Sequence, residues 1–270
     1  MDGVRGLDVL IVVLWLAPAV VPLAVAWLAL IVWFRLLDFG RMLRARGQER
    51  LGLYFDFVVV SFGVVGAFFL ISWVDWALGG DEPLSYVLAD LRLTTPIEFG
   101  LMIGLSALLL LTYFAVAVVS GWVSAFFREA ESPYALALRP QTAVERFVWV
   151  TAMSPTAGFC EEVIFRGIAL SVAFILGADV VIAVTLSSLL FALGHAVYGL
   201  TWTVGTMVLG VASAVAVLWS GSLWPAIIAH TLYDMTVYYV FETPMEPMPG
   251  DAVPEPARFL RFLRSLPPMR

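Results

Sequence analysis

Long apolar runs separated by short polar clusters organise this chain. Such runs occupy residues 7–34, 55–78 and 97–127. A fourth opens after Thr142-Ala143-Val144-Glu145 and reaches about Leu176, and three more cover 179–196, 201–219 and 225–241. About 20 helical residues cross the hydrocarbon core of a bilayer, so each run suits a span. Strands of a membrane barrel would be shorter and would alternate in polarity. The pattern therefore predicts an all-α fold, a polytopic membrane bundle of about seven to eight transmembrane helices. The eighth would come from Ser154-Pro155, which is expected to kink or divide the fourth run. Two helix starts carry the signature of a capping box. These are Thr95-Pro96-Ile97-Glu98, with proline at the first helical position, and Thr142-Ala143-Val144-Glu145. No internal repeat or low-complexity tract interrupts the series.

Composition agrees with this reading and narrows the chemistry. The 270 residues are 61% hydrophobic and 13% charged, with a mean hydropathy of +0.95. A soluble domain is nearer half apolar and a quarter charged, so an ordinary soluble enzyme, a disordered chain and a basic nucleic-acid binder are excluded. The single cysteine, Cys160, permits no intrachain disulfide and no cysteine-based zinc site. All 15 basic residues are arginine, which removes lysine nucleophiles and Schiff-base chemistry. The two histidines, His195 and His230, must supply any imidazole chemistry. The first run is too long for the h-region of a secretory signal and has no clear cleavage site.

Arginine placement sets an expected orientation. Residues 35–50 hold five arginines, and the tail holds Arg258, Arg261, Arg264 and Arg270. The 80–95 loop sets Asp81, Glu82 and Asp90 against Arg92. By the positive-inside rule, a multi-pass protein of the cell membrane is expected, with a cytoplasmic C-terminus. Residues 255–266 could form an amphipathic helix on the anionic inner surface, with Phe259, Phe262, Leu263 and Leu266 on one face.

An ionisable side chain within a span costs a few kcal/mol at least. Three groups stand out on that ground: Glu161, Glu162 and Arg166; His195; and His230 with Asp234. Glu162 and Arg166 are at i and i+4 with the acid N-terminal, the favourable order for an intrahelical ion pair. Glu161 is turned about 100° away and is left to face another surface. A desolvated carboxylate of that kind suits a general base. The double glutamate could equally lock two helices together. Phe191 and His195 share one helix face, and so do His230 and Asp234. Such a set could hydrolyse an amide in two ways. Glu161 could take a proton from a water held by His195, with His230 and Asp234 stabilising an oxyanion, or Glu161, His195, His230 and Asp234 could hold a metal ion. Cys160 points to another face and has no signal of activation.

In these residues the chain resembles the CAAX protease and bacteriocin-processing enzyme family, which includes the type II CAAX prenyl endopeptidases. The family pattern is Glu-Glu-x-x-x-Arg, then Phe-x-x-x-His, then His-x-x-x-Asn or Asp. It is matched by Glu161-Glu162-Val163-Ile164-Phe165-Arg166, by Phe191-Ala192-Leu193-Gly194-His195, and by His230-Thr231-Leu232-Tyr233-Asp234. The resemblance covers about residues 142–241. It implies an intramembrane endopeptidase whose site lies in a cavity among the helices. By resemblance, Glu161 and His195 activate the water, His230 and Asp234 form the oxyanion site, and Glu162 and Arg166 complete the catalytic motif. Prenyl-processing members carry asparagine at the position of Asp234. An ionised aspartate would repel an oxyanion, so Asp234 must be protonated, orient His230 or bind metal. Two histidines and two carboxylates would form a credible Zn2+ set.

Three regions are expected: residues 1–141 as scaffold spans, 142–241 as catalytic core and 242–270 as a cytoplasmic tail. The partners implied are the lipid bilayer and a membrane-associated or lipidated peptide substrate, with no nucleic acid. Two other classes fit parts of the pattern. One is a non-proteolytic scaffold or immunity protein of the same fold. The other is a proton-coupled transporter, which would often show two related halves. Depth poses a conflict: Glu161 falls about 28 Å along a helix that starts at Thr142. His195 falls near the cytoplasmic end of the next helix. Straight spanning helices normal to the bilayer would keep the two apart.

Overall fold

The structure, a computed structural model, describes residues 48–77, 91–93, 95–129, 132, 135 and 138–240. The first apolar run, most of the 35–50 arginine cluster, most of the 80–95 loop and the tail lie outside the described residues. So does the expected surface helix at 255–266. Every element among the described residues is helical. The bundle comprises α1 (Gln48–Ala77), α2 (Phe99–Phe126), α3 (residues 143–175), α4 (Val180–Gly194), α5 (Leu200–Ser220) and α6 (Trp224–Val240). Three stretches are long and apolar enough to cross a membrane: Arg50–Leu70, Phe99–Phe126 and Leu200–Ser220. Large apolar side chains such as Phe99, Leu111, Phe126, Val181 and Leu200 point outward from them and from α4, as a hydrocarbon solvent allows.

The start of α3 follows the sequence closely. Thr142 Oγ1 accepts from the Glu145 amide at 3.2 Å, and Glu145 Oε2 accepts from the Thr142 amide at 3.0 Å. The reciprocal bonds satisfy two amides that a helix start leaves without partners. Glu145 is also buried against Arg50 of α1, 3.4 Å away, so the cap doubles as an interhelical ion pair. The start of α2 differs from the expected capping box. Its helix begins at Phe99 with Glu98 as an extended N-cap that makes no side-chain capping bond. Pro96 disfavours helical backbone at Thr95, and the preceding strip is claimed elsewhere. The Leu223 amide donates to Arg92 O at 3.1 Å and Trp224 Nε1 donates to Leu93 O at 3.0 Å, tying that strip to the start of α6.

Pro155 does not divide the fourth run. Instead, α3 widens into π-helical turns at Trp149–Met153 and Val163–Ala169, on either side of an α-helical Ser154–Glu162. Side chains take up carbonyls in these wide turns: Ser154 Oγ donates to Trp149 O at 2.9 Å, and Ser187 Oγ of α4 donates to Phe165 O at 2.7 Å. Such π-turns recur at functional sites.

Small residues set the helix crossings, as in other membrane bundles. A Cβ at Gly158 of α3 would collide with the Thr231 side chain and stand 2.8 Å from its amide nitrogen. A Cβ at Gly210 of α5 would stand 2.9 Å from Ser188 Cβ of α4. The first of these crossings brings the double glutamate against the helix that carries His230 and Asp234.

The depth conflict disappears because α4 is short. Its 15 residues extend about 22 Å, less than the roughly 30 Å hydrocarbon core. The α3–α4 hairpin turns at Gly177, whose φ is +84°, and Glu161 and His195 stand at nearly equal separations on its two sides. The two residues are therefore level, and α4 stops where they meet.

Candidate active site

Three helices, α3, α4 and α6, place the predicted side chains around one point. On α3, Glu162 and Arg166 are wholly buried and paired at 3.1 Å, as their spacing predicts. The Arg166 guanidinium also lies 4.1 Å from the centre of the Phe191 ring of α4, a cation–π contact that compensates part of its desolvation. Glu162 has a second partner that sequence reasoning missed: His230 Nδ1 of α6 is 2.9 Å from the same Oε1 atom. The expected neutralisation of Glu162 by Arg166 is thus only half of its role. One carboxylate oxygen joins a guanidinium and an imidazole across the α3–α6 crossing.

Glu161 turns to the other side, as its helical angle requires. Its Oε2 lies 3.9 Å from His195 Nε2 and 3.9 Å from His230 Nε2. Asp234 Oδ2 lies 3.6 Å from His230 Nε2. That separation exceeds hydrogen-bond range, so the shorter partner of His230 is Glu162, not the Asp234 that its own helix suggests. The Asp234 backbone is held separately, by Trp149 Nε1 donating to its carbonyl at 2.8 Å.

Hydrogen bonds fix which nitrogen of each imidazole faces the centre. His195 Nδ1 is 2.9 Å from Phe191 O, a carbonyl that only accepts, so Nδ1 carries the proton and Nε2 faces Glu161. His230 is constrained alike through Nδ1 and Glu162. Phe191 fills the space between them, with ring centroids 4.7 Å from His195 and 5.9 Å from His230.

The site grades from a sealed floor to an open mouth. The Glu162 and Arg166 side chains are fully buried and His230 is 6% exposed, whereas Glu161 and Asp234 are 20% exposed and His195 27%. Tyr113 of α2 closes the floor. It is buried, its hydroxyl shares a 2.5 Å hydrogen bond with Ser213 of α5, and its ring meets His230 and Tyr233 edge-on. A polar residue within the apolar 97–127 run was its only sequence signal. Cys160 is fully buried in the main hydrophobic cluster.

Among the described residues, no group of three or more His, Cys, Asp or Glu is arranged to hold a metal ion. Each imidazole holds its Nδ1 on an outer acceptor, Phe191 O or Glu162, and turns Nε2 toward Glu161, an orientation that metal-ligating histidines also adopt.

Residues 143–236 match a family described as type II CAAX prenyl endopeptidase Rce1-like. The matched segment, about a third of the chain, is similar to that family and contains Glu161, Glu162, Arg166, His195, His230 and Asp234. No curated protein and no solved structure is similar enough to the chain to count as a match.

Proposed function

We propose that this protein is an intramembrane endopeptidase that hydrolyses a peptide bond of a membrane-anchored, CAAX-type substrate. The observation that carries the proposal is the juxtaposition of Glu161 Oε2 with two imidazole Nε2 atoms, each 3.9 Å away. That separation suits a water hydrogen-bonded between the groups. In the proposed reaction Glu161 takes a proton from this water, which His195 Nε2 holds by accepting its other proton. The water oxygen forms a bond to the scissile carbonyl carbon, and the C=O electron pair moves onto oxygen. His230, protonated at both nitrogens, donates from Nε2 to that oxyanion while Nδ1–H stays on Glu162. Glu161 then delivers its proton to the amide nitrogen as the C–N bond breaks, leaving a carboxylic acid and a free amine.

Glu162 and Arg166 hold His230 in this scheme and do not touch substrate. Asp234 lies beside His230 Nε2 and favours its protonated form. An ionised Asp234 would oppose an oxyanion at the same point, so we assign it to charging and orienting His230 rather than to direct donation. The membrane supplies the partner surface, and a lipid-linked peptide is the substrate class that the family suggests.

The test uses the full chain in lipid nanodiscs with a farnesylated CAAX peptide, its products identified by mass spectrometry. Cleavage by the wild type and loss of cleavage in folded Glu161→Gln and His195→Ala variants are expected. Full cleavage by both variants would eliminate the hydrolytic role, and a wild-type chain that binds but never cleaves would favour a scaffold.

A further inference from the structure

His195 stands at an unusual place for a residue asked to hold a water. It is the C-cap residue of α4, directly after Gly194, and beyond it the chain makes a single 3₁₀ turn, Ala196–Tyr198, before Gly199 opens α5. Within this turn, Tyr198 N donates to His195 O at 3.0 Å and Gly199 N to Ala196 O at 3.3 Å, and the Tyr198 ring lies 5.8 Å from that of His195. A further restraint comes from the end of α2. Glu129 is anchored there by its amide, which donates to Ser124 O at 2.9 Å, and by Ser124 Oγ, which donates to Oε2 at 3.3 Å. Its carboxylate lies against the start of α5, where a Cβ at Gly199 would stand 2.5 Å from Oε1 and the Thr201 hydroxyl and the amides of Thr201 and Leu200 act on its charge. Those amides are among the unpaired donors at the start of α5, where a negative charge is favoured. The Thr201 hydroxyl above all, then the two amides, hold the Glu129 carboxyl below its ordinary range.

Gly199 makes the fit possible. Its φ of +105° would strain any residue with a side chain, and a Cβ there would stand 2.5 Å from Glu129 Oε1. A second side chain from the same region, Ser132, donates through Oγ to Val197 O. Residues 129 and 132 therefore grip 197–201 from outside the Rce1-like segment.

We infer that Glu129 is a positioning residue for His195, acting through the Gly199 turn and the first amides of α5. The kinetic part of this inference rests on the hydrolytic reading, while the structural part stands apart from it. Glu129 touches no reacting group. It sets where α4 must end, and so how far His195 Nε2 lies from Glu161.

Because His195 and His230 are the only histidines, selective isotope labelling of histidine gives a two-residue NMR spectrum of the whole chain in nanodiscs. Glu129→Ala is expected to move the His195 imidazole signals and leave those of His230 in place. It should lower kcat by roughly 10- to 100-fold, as a misplaced catalytic group does, with KM little changed. Glu129→Gln, which keeps one acceptor oxygen, should fall between wild type and Glu129→Ala. Gly199→Ala should displace the His195 signals with Glu129 intact. Unmoved His195 signals in Glu129→Gln and Gly199→Ala would overturn the inference, as would equal movement of both histidines. A wild type that cleaves nothing would defeat the hydrolytic reading alone, since the spectra would still decide the Glu129 contact.

Discussion

His195 and His230 face the same glutamate at the same distance, but they are held in opposite ways. His230 sits mid-helix on α6, buried, with Nδ1 on an ion-paired carboxylate and aromatic rings of Tyr113 and Phe191 against it. His195 sits at a helix end, half-buried, with Nδ1 on a backbone carbonyl. One is fixed by the core and the other by a turn. Under the proposed hydrolytic reading, the difference teaches where each duty can be placed. An oxyanion donor benefits from a rigid, water-poor position, since preorganised dipoles act most strongly there. A group that receives water and substrate must stand at the mouth, where tight packing would block entry.

The largest expected effect is on chemistry. Glu161→Gln should lower kcat/KM by about 10²–10⁴-fold, the range of general-base catalysis, with melting temperature near wild type. His195→Ala should do likewise, and a peptide-cleavage assay beside a thermal-shift measurement checks both. A large fall in melting temperature for either would erase the contrast between the two halves.

The floor should respond in the opposite manner. Arg166→Met leaves Glu162 buried without its cation, and breaking a buried pair costs about 3–5 kcal/mol. Loss of thermal stability should therefore accompany loss of activity. Gly158→Ala belongs with it: the added methyl meets Thr231, and overpacking of this kind costs about 1–3 kcal/mol. Unchanged melting in both variants would mean that the α3–α6 crossing is looser than its geometry indicates.

Metal removal sharpens the comparison differently. The proposed water activation uses only the chain's own groups, so a sample shown to be metal-free by elemental analysis is expected to keep its cleavage rate. Loss of activity restored by Zn2+ alone would instead make Glu161, His195, His230 and Asp234 a ligand set.

The smallest effect concerns Glu129. Its carboxyl is held below the ordinary value of 4.5, so its contribution to stability is present above that pH and is lost as pH falls through the lower folded value. The melting-temperature difference between wild type and Glu129→Gln should therefore be present at neutral pH. It should shrink only below about pH 4.5. A difference that vanishes between pH 7 and 6 would point to another group.

Much of this site was legible in the sequence because its elements are local. The Glu162–Arg166 pair follows from helical periodicity, the Thr142–Glu145 cap from four adjacent residues, and the bundle from run lengths that only lipid explains. Local signals did not suffice where a distant segment competed for the backbone, as before α2, where the start of α6 holds the Arg92 and Leu93 carbonyls and Glu98 is an extended N-cap without a side-chain bond.

What the sequence determined by itself is the solvent, the helical class and the short list of polar groups that an apolar chain must justify. Only tertiary structure decided how they combine. The bond from His230 to Glu162 depends on the close approach at Gly158, the level of His195 depends on where α4 stops, and the hold on its turn depends on Glu129 at the far end of α2. Each is set by contacts between helices distant in sequence, and no periodicity within a single helix encodes which neighbour its polar face will meet.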